Sequence, residues 1–266
     1  LFLAWRMDRF SPLFDSNSEL IGVLLGAIVV LGIGVMDDIR EVSAPARVFG
    51  VIVTGMILVT AGVTMFYFRI PFLGVIQLSN DWVPIVTIVW LLGMTQAINL
   101  IDGFDGLAAG IVAIAAASFF LYSRRLDTLG VLAQPNIGPL IAIIALGVCL
   151  GFLPHNFNNA KIFMGDSGSL FLGFSLSFLA LSVQKNMGNS SVYIVLVLPL
   201  AIMAMPILDT SLVTFKRLIS GRKIYTGGMD HSSHRLVALG LSEKKAVLLL
   251  YGIALVWGLS AIFLIN

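Results

Sequence analysis

The chain has 266 residues, 58% of them hydrophobic and 11% charged, with a mean hydropathy of +1.00. A soluble domain of this length carries roughly a quarter charged residues, so the composition excludes a water-soluble fold and makes lipid the natural solvent. The net charge of +2 gives no basis for a nucleic-acid partner, and a lone cysteine, Cys149, excludes an internal disulfide or a cysteine-built metal cluster.

The chain opens on Leu1 rather than Met, and the run from Leu1 to Met7 is too short to span and lacks the pattern of a signal peptide. It reads as the tail of a membrane helix whose beginning is absent. Apolar windows long enough to cross a hydrocarbon core as helices then follow at 20–36, 48–66, 83–99, 107–122, 137–153, 168–184, 192–215 and 246–265. Eight full spans and one truncated span predict an all-α polytopic bundle of about nine transmembrane helices. The segment from Tyr67 to Ser79 is different: rich in strand formers around Pro71 and Gly74, it predicts a short β-hairpin on the extracytoplasmic face. Tyr67 and Trp82 are expected as interfacial anchors. No linker separates two domains, so residues 1–266 form a single, N-terminally truncated membrane domain.

Each span reverses the side of the membrane. The loops at 37–47, 100–106, 154–167 and 216–245 therefore share one side, and those at 8–19, 67–82, 123–136 and 185–191 the other. Ten of the 16 Lys and Arg fall in the first set, which places it in the cytoplasm. Every chemically rich motif lies in that set.

The first motif is Gly34-Val-Met-Asp37-Asp38-Ile-Arg40. Two adjacent carboxylates at a membrane boundary repel unless a cation or proton relieves them, and acids at a helix C-terminus oppose the helix dipole. Arg47, nearby, suits an anionic substrate or a simple positive-inside charge. The second motif, Asn99-Leu-Ile-Asp102-Gly-Phe-Asp105-Gly106-Leu, joins two apolar helices through a short glycine-bearing turn rich in hard oxygen donors. It does not match the twelve-residue calcium loop. The third runs from His155 through Asn156, Lys161 and Phe163 to Gly165-Asp166-Ser-Gly-Ser169. Asp166 is expected at a helix start, as a cap, as a ligand, or as both. The fourth, Gly227-Gly-Met-Asp230-His231-Ser-Ser-His234-Arg235-Leu236, lacks the ligands for zinc and reads better as donors to a diphosphate. Asp209, alone in an apolar run after Pro206, is expected to be structural.

At these four motifs the sequence resembles the polyprenyl-phosphate N-acetylhexosamine-1-phosphate transferases, a family that includes GlcNAc-1-phosphate transferases and the phospho-MurNAc-pentapeptide translocase. The motifs occur in the family's order, and the resemblance covers essentially the whole chain. It implies transfer of a sugar-1-phosphate, GlcNAc-1-phosphate above others, from a UDP-sugar to undecaprenyl phosphate with release of UMP. The enzyme would sit in a bacterial plasma membrane with a cytoplasmic active site and use Mg2+, with Mn2+ as a substitute. Carried over by position, Asp166 resembles the magnesium ligand, joined by Asn99. Asp102, Asp105, Asn156 and Phe163 resemble residues around the uridine. Asp37 and Asp38 resemble the pair serving the lipid phosphate, and His231, His234 and Arg235 the group holding diphosphate and sugar. Related enzymes suggest a homodimer. The run His231-Ser-Ser-His234 departs from the translocase, which carries three consecutive histidines, and also from the GlcNAc branch, which often has a further His where Ser233 stands.

Two other classes compete. A secondary transporter would explain the span count and Asp209, but it predicts polar groups near the midplane. A CDP-alcohol phosphatidyltransferase shares some of Asp102 to Gly110, but its expected Arg and later Asp pair are missing.

Overall fold

A computed structural model describes residues 6–7, 11–14, 18–65, 67–70, 74–130, 132, 136–185, 197–221 and 231–263. Most of the opening run, the hairpin tip at Pro71, and the glycines and Asp230 of the fourth motif lie outside them. The described elements are α1 (Ser11–Phe14), α2 (Ser18–Arg40), α3 (Ala44–Thr60), β1 (Tyr67–Ile70), β2 (Gly74–Gln77), α4 (Trp82–Ile101), α5 (Leu107–Thr128) and α6 (Gly138–Asn156). They continue with α7 (Gly165–Lys185), α8 (Val197–Ile202), α9 (Ala204–Ile219), α10 (Ser232–Ala238) and α11 (Glu243–Phe263).

Six of these helices are long and apolar enough to cross a membrane: α2, α4, α5, α6, α7 and α11. The expected count of about nine is therefore corrected to six among the described residues: the truncated first span lies largely outside them, and two of the other expected spans differ for physical reasons. Helix α3, with 17 residues or about 25 Å, is one of the shorter apolar helices, although it runs back along α2 so that Ala61 just past its end meets Ser18 at the start of α2. The window at 192–215 is not one helix, because its described part breaks at Met203 into α8 and α9. The break leaves Pro206 in the first turn of α9, where its missing N–H costs no hydrogen bond. Pro45 and Pro139 likewise sit at the starts of α3 and α6.

Strands β1 and β2 pair antiparallel, with Tyr67 opposite Gln77 and Ile70 opposite Gly74. They are the only sheet among the described residues.

Helices α5 and α7 are the most buried spans, while α2, α4, α6 and α11 turn much of their surface outward. Helix α7 packs against α2, α4, α5 and α6. Its sequence explains that place, since glycine and serine alternate with large apolar residues and let neighbouring backbones come close. A Cβ on Gly173 would stand 2.7 Å from Thr95 Cα of α4. Outward faces carry exposed Ile21, Leu25 and Ile28 on α2 and Val256 and Leu259 on α11, an apolar surface that only lipid or a partner would cover. The ends of α2, α4 and α6 and the starts of α3, α5 and α7 meet at one end of the bundle, bringing the first three motifs together.

Candidate active site

Asp166 opens α7. The preceding Gly165 takes a φ of +65°, the left-handed conformation that glycine adopts without Cβ strain. Asp38, 128 residues earlier at the end of α2, accepts the Asp166 N–H at 2.7 Å and the Ser167 N–H at 3.1 Å on its two carboxylate oxygens. Asp38 thus caps α7 from a neighbouring helix and meets that helix's positive end, which offsets its unfavourable place at the C-terminus of its own. The approach is possible because Gly34 lies one turn earlier, where a Cβ would stand 2.4 Å from Ser167 Cα.

The Asp166 carboxylate is held on both oxygens. Arg47 Nη1 donates to Oδ2 at 3.0 Å and lies equally 3.0 Å from Asp37 Oδ2. The Asn99 amide nitrogen donates to Oδ1 and, at 2.9 Å, to Ser169 Oγ. Asp37 also accepts the Val42 N–H, and its side chain is only 6% exposed. Asp166 remains 28% exposed.

The two acids of the first motif therefore do different work. Consecutive helical residues point about 100° apart, so Asp37 turns back to Arg47 while Asp38 turns to α7. Asn99 offers Asp166 a donor, whereas the expected ligand role needs its carbonyl oxygen.

A cleft of about 440 Å3 opens beside Asp166. It is lined by carboxylates of Asp38, Asp102, Asp105 and Asp166 and by the rings of Phe104 and Phe163. Phe163 is 79% exposed, a large ring left free to stack. Burial, and then the charge of Asp166, push the Asp102 carboxyl up to about 6. Asp105 accepts the Ala160 N–H at 2.8 Å. Asn156 accepts the Gly106 N–H and donates to the Ile162 carbonyl, each at 2.9 Å. Asn156 lines the cleft, as expected of a residue near the substrate, and its amide also stitches two loops together. Tyr251 of α11 donates to the Gly106 carbonyl, adding a third element to the seam.

The fourth motif divides as well. His234 reaches the cleft's edge, its ring 4.6 Å from that of Phe104 in a T-shaped arrangement, and Arg235 is exposed. His231 is buried, with Nδ1 at 2.7 Å from Asp209 Oδ2. The expected diphosphate contact of His231 therefore falls to its other ring nitrogen, Nε2, because Nδ1 already faces a carboxylate. Asp37 and Arg47 stand beside Asp166 rather than in the cleft wall. Sequence reasoning missed Ser169, Phe104, Tyr251 and the pairing of Asp209 with His231. The only available signal was that a buried acid needs a partner. Among the described residues no three His, Cys, Asp or Glu side chains form a group able to hold a metal alone.

An acidic, aromatic-flanked cleft at one end of a bundle of apolar helices defines a membrane-integral protein of the polytopic helical class. The chain belongs to glycosyl transferase family 4, whose sequence model matches residues 20–184. It is 35% identical over 254 residues to the probable undecaprenyl-phosphate N-acetylglucosaminyl 1-phosphate transferase of Bacillus subtilis, covering 94% of this chain and 67% of that protein. It is 34% identical over 279 residues to the decaprenyl-phosphate N-acetylglucosaminephosphotransferase of Mycobacterium tuberculosis, covering 99% and 69%. With the phospho-N-acetylmuramoyl-pentapeptide-transferase of Staphylococcus aureus it shares 35% identity over 197 residues, 74% of this chain and 56% of that one. The chain thus spans about two thirds of the length of the first two relatives.

Proposed function

We propose that this protein transfers a sugar-1-phosphate, GlcNAc-1-phosphate in the favoured reading, from a UDP-sugar to undecaprenyl phosphate at the cytoplasmic face of a bacterial plasma membrane. The observation that carries this reading is Asp166, held on both oxygens yet open to a cleft at the end of the bundle. A lipid phosphate anchored in the bilayer and a nucleotide from water can meet only at such a level. The names of the relatives support an acceptor of this chemistry.

The donor set fits a magnesium ion. Asp38, Asp102, Asp105 and Asp166 share one cleft, and magnesium is commonly held by one or two carboxylates together with substrate phosphates and water. Asp166 would hold it; when bound, it neutralises charge on the transferring diphosphate. The remaining catalysis is positioning, as phosphoryl transfer requires. Arg47 and Asn99 fix the Asp166 carboxylate, Phe163 offers its exposed ring to the base, and His234 in the first turn of α10 stands at the cleft's edge against Phe104. An oxygen of the lipid phosphate attacks the β-phosphorus. The bond from that phosphorus to the bridging oxygen breaks, and UMP leaves with that oxygen. In the less favoured alternative an aspartate is phosphorylated first, and a trapped phosphoenzyme in the absence of acceptor would reverse the ranking.

The test is UMP release by the purified full-length protein with undecaprenyl phosphate, Mg2+ and a panel of UDP-sugars. Release with UDP-GlcNAc, abolished by chelation and reduced about 10³-fold in Asp166→Asn, is the expected result, since the charge stabilisation at stake is several kcal/mol. No release with any sugar from folded protein overturns it.

A further inference from the structure

Asp209 and His231 lie away from the cleft, and no step of the proposed reaction uses them. Asp209 belongs to α9, and it is 4% exposed. An acid buried in an apolar bundle is retained only where its charge is paired and its oxygens are satisfied. Here both oxygens are engaged: Oδ2 with His231 Nδ1 at 2.7 Å, and Oδ1 with the Ser232 N–H, also at 2.7 Å.

Ser232 is the first residue of α10, and His231 directly precedes it. One carboxylate from α9 therefore caps α10 and fixes the imidazole in front of it. A seven-residue helix has almost no stability of its own, so α10 takes its position from such tethers. His234 sits in the first turn of that helix, its ring 4.6 Å from Phe104. A Cβ placed on Gly103 would stand 3.7 Å from His234 Nε2. Phe104 and Gly103 both line the cleft.

We infer that Asp209 and His231 are positioning residues: a buried carboxylate–imidazole clamp that sets α10 against the bundle and so holds His234 at the edge of the cleft. The role in turnover rests on the proposed reaction, while the clamp itself is testable without it.

Two readouts on the full-length enzyme decide the matter. In the first, UMP release from UDP-GlcNAc with undecaprenyl phosphate is compared for Asp209→Ala in the wild-type and the His234→Ala backgrounds. Displacing a positioned group by about 1 Å costs about 10²-fold, so Asp209→Ala lowers kcat/KM by about 10²-fold in wild type. It lowers it by about twofold or less where His234 is already gone, because the two changes remove one function. Equal losses in both backgrounds overturn the inference. Asp209→Asn keeps the side-chain volume and the acceptor for Ser232, should fall between, and carries the same cycle if the alanine variant does not fold. The second readout is amide hydrogen exchange, which should speed up at 232–238 in the Asp209 variants and stay unchanged at 165–185. Unchanged exchange at 232–238 sinks the clamp even if turnover falls. A wild-type enzyme that releases no UMP sinks the reaction instead, and exchange alone then decides the clamp.

Discussion

The molecule holds two constellations in which a carboxylate meets a nitrogen donor, Asp166 with Arg47 and Asp209 with His231, and they differ in what they leave unfinished. Asp209 gives both oxygens to α10 and its flanking histidine and is 4% exposed. Asp166 also has partners on both oxygens, yet its side chain is 28% exposed and borders the cleft. A carboxylate sealed from solvent and hydrogen-bonded on both oxygens acts through the groups it holds. One that stays accessible beside Asp38, Asp102 and Asp105 still has lone pairs for a cation and a substrate to reach. Counting acids would rank the two alike; following each oxygen to its partner separates scaffold from working site.

The sharpest way to break this contrast is to loosen the open constellation alone. Arg47→Ala removes the cation shared by Asp37 and Asp166, leaving a buried and a half-buried carboxylate facing each other. We expect kcat/KM for UMP release to fall about 10²-fold, the scale of a misplaced catalytic group. Arg47→Lys should recover part of it, since charge returns without the guanidinium's geometry. Recovery to the wild-type rate would show that charge alone matters. A smaller effect is expected from Gly34→Ala. Its Cβ would strike backbone atoms of Ser167, forcing α2 from α7 at the point where Asp38 caps, at a cost of about 1–3 kcal/mol. Gly32→Ala, with nothing within 4 Å of its Cβ, serves as the control and should be neutral or slightly stabilising. Equal melting temperatures for the two variants would contradict the close contact.

The smallest effect should come from Asp102, whose carboxyl is raised first by burial and then by the charge of Asp166. Its folded value of about 6 lies above the ordinary 3.8, so ionising it costs the folded state more than the unfolded. That penalty is absent below about pH 4, grows as pH rises towards about 6, and is constant beyond. In chelator, wild-type melting temperature should therefore lose a few degrees across that window relative to Asp102→Asn. Parallel profiles for the two proteins would refute the shift.

Much of the fold was legible in the apolar windows, because a membrane enforces long uninterrupted helices. The failures came where length alone was read. The stretch at 192–215 matches a span in composition, but α9 restarts at Ala204 to accommodate Pro206. The site's convergence was legible too, since alternation of sides puts Asp38, Asp102 and Asp166 on one face. What the sequence hides is the direction each side chain takes. Asp37 and Asp38 read as a pair, though consecutive helical residues point about 100° apart and the two carboxylates take different partners. Resemblance places Asn156 near the uridine, but nothing local reveals that Gly106, 50 residues away, and Ile162 also bond its amide. Asp209 stood out as a buried acid, but its partner lies beyond the turn of another segment.

The cap that Asp38 places on α7 joins residues 128 positions apart, and this has a consequence for biosynthesis. At about 5–20 residues per second, on the order of ten seconds separate the emergence of Asp38 from that of Asp166. Through that interval α2 is already made while the residues it is to cap do not exist. No nascent chain shorter than α7 can carry Asp166 in the cleft, and His234 of α10 and Tyr251 of α11 join it later still, so the site is assembled late.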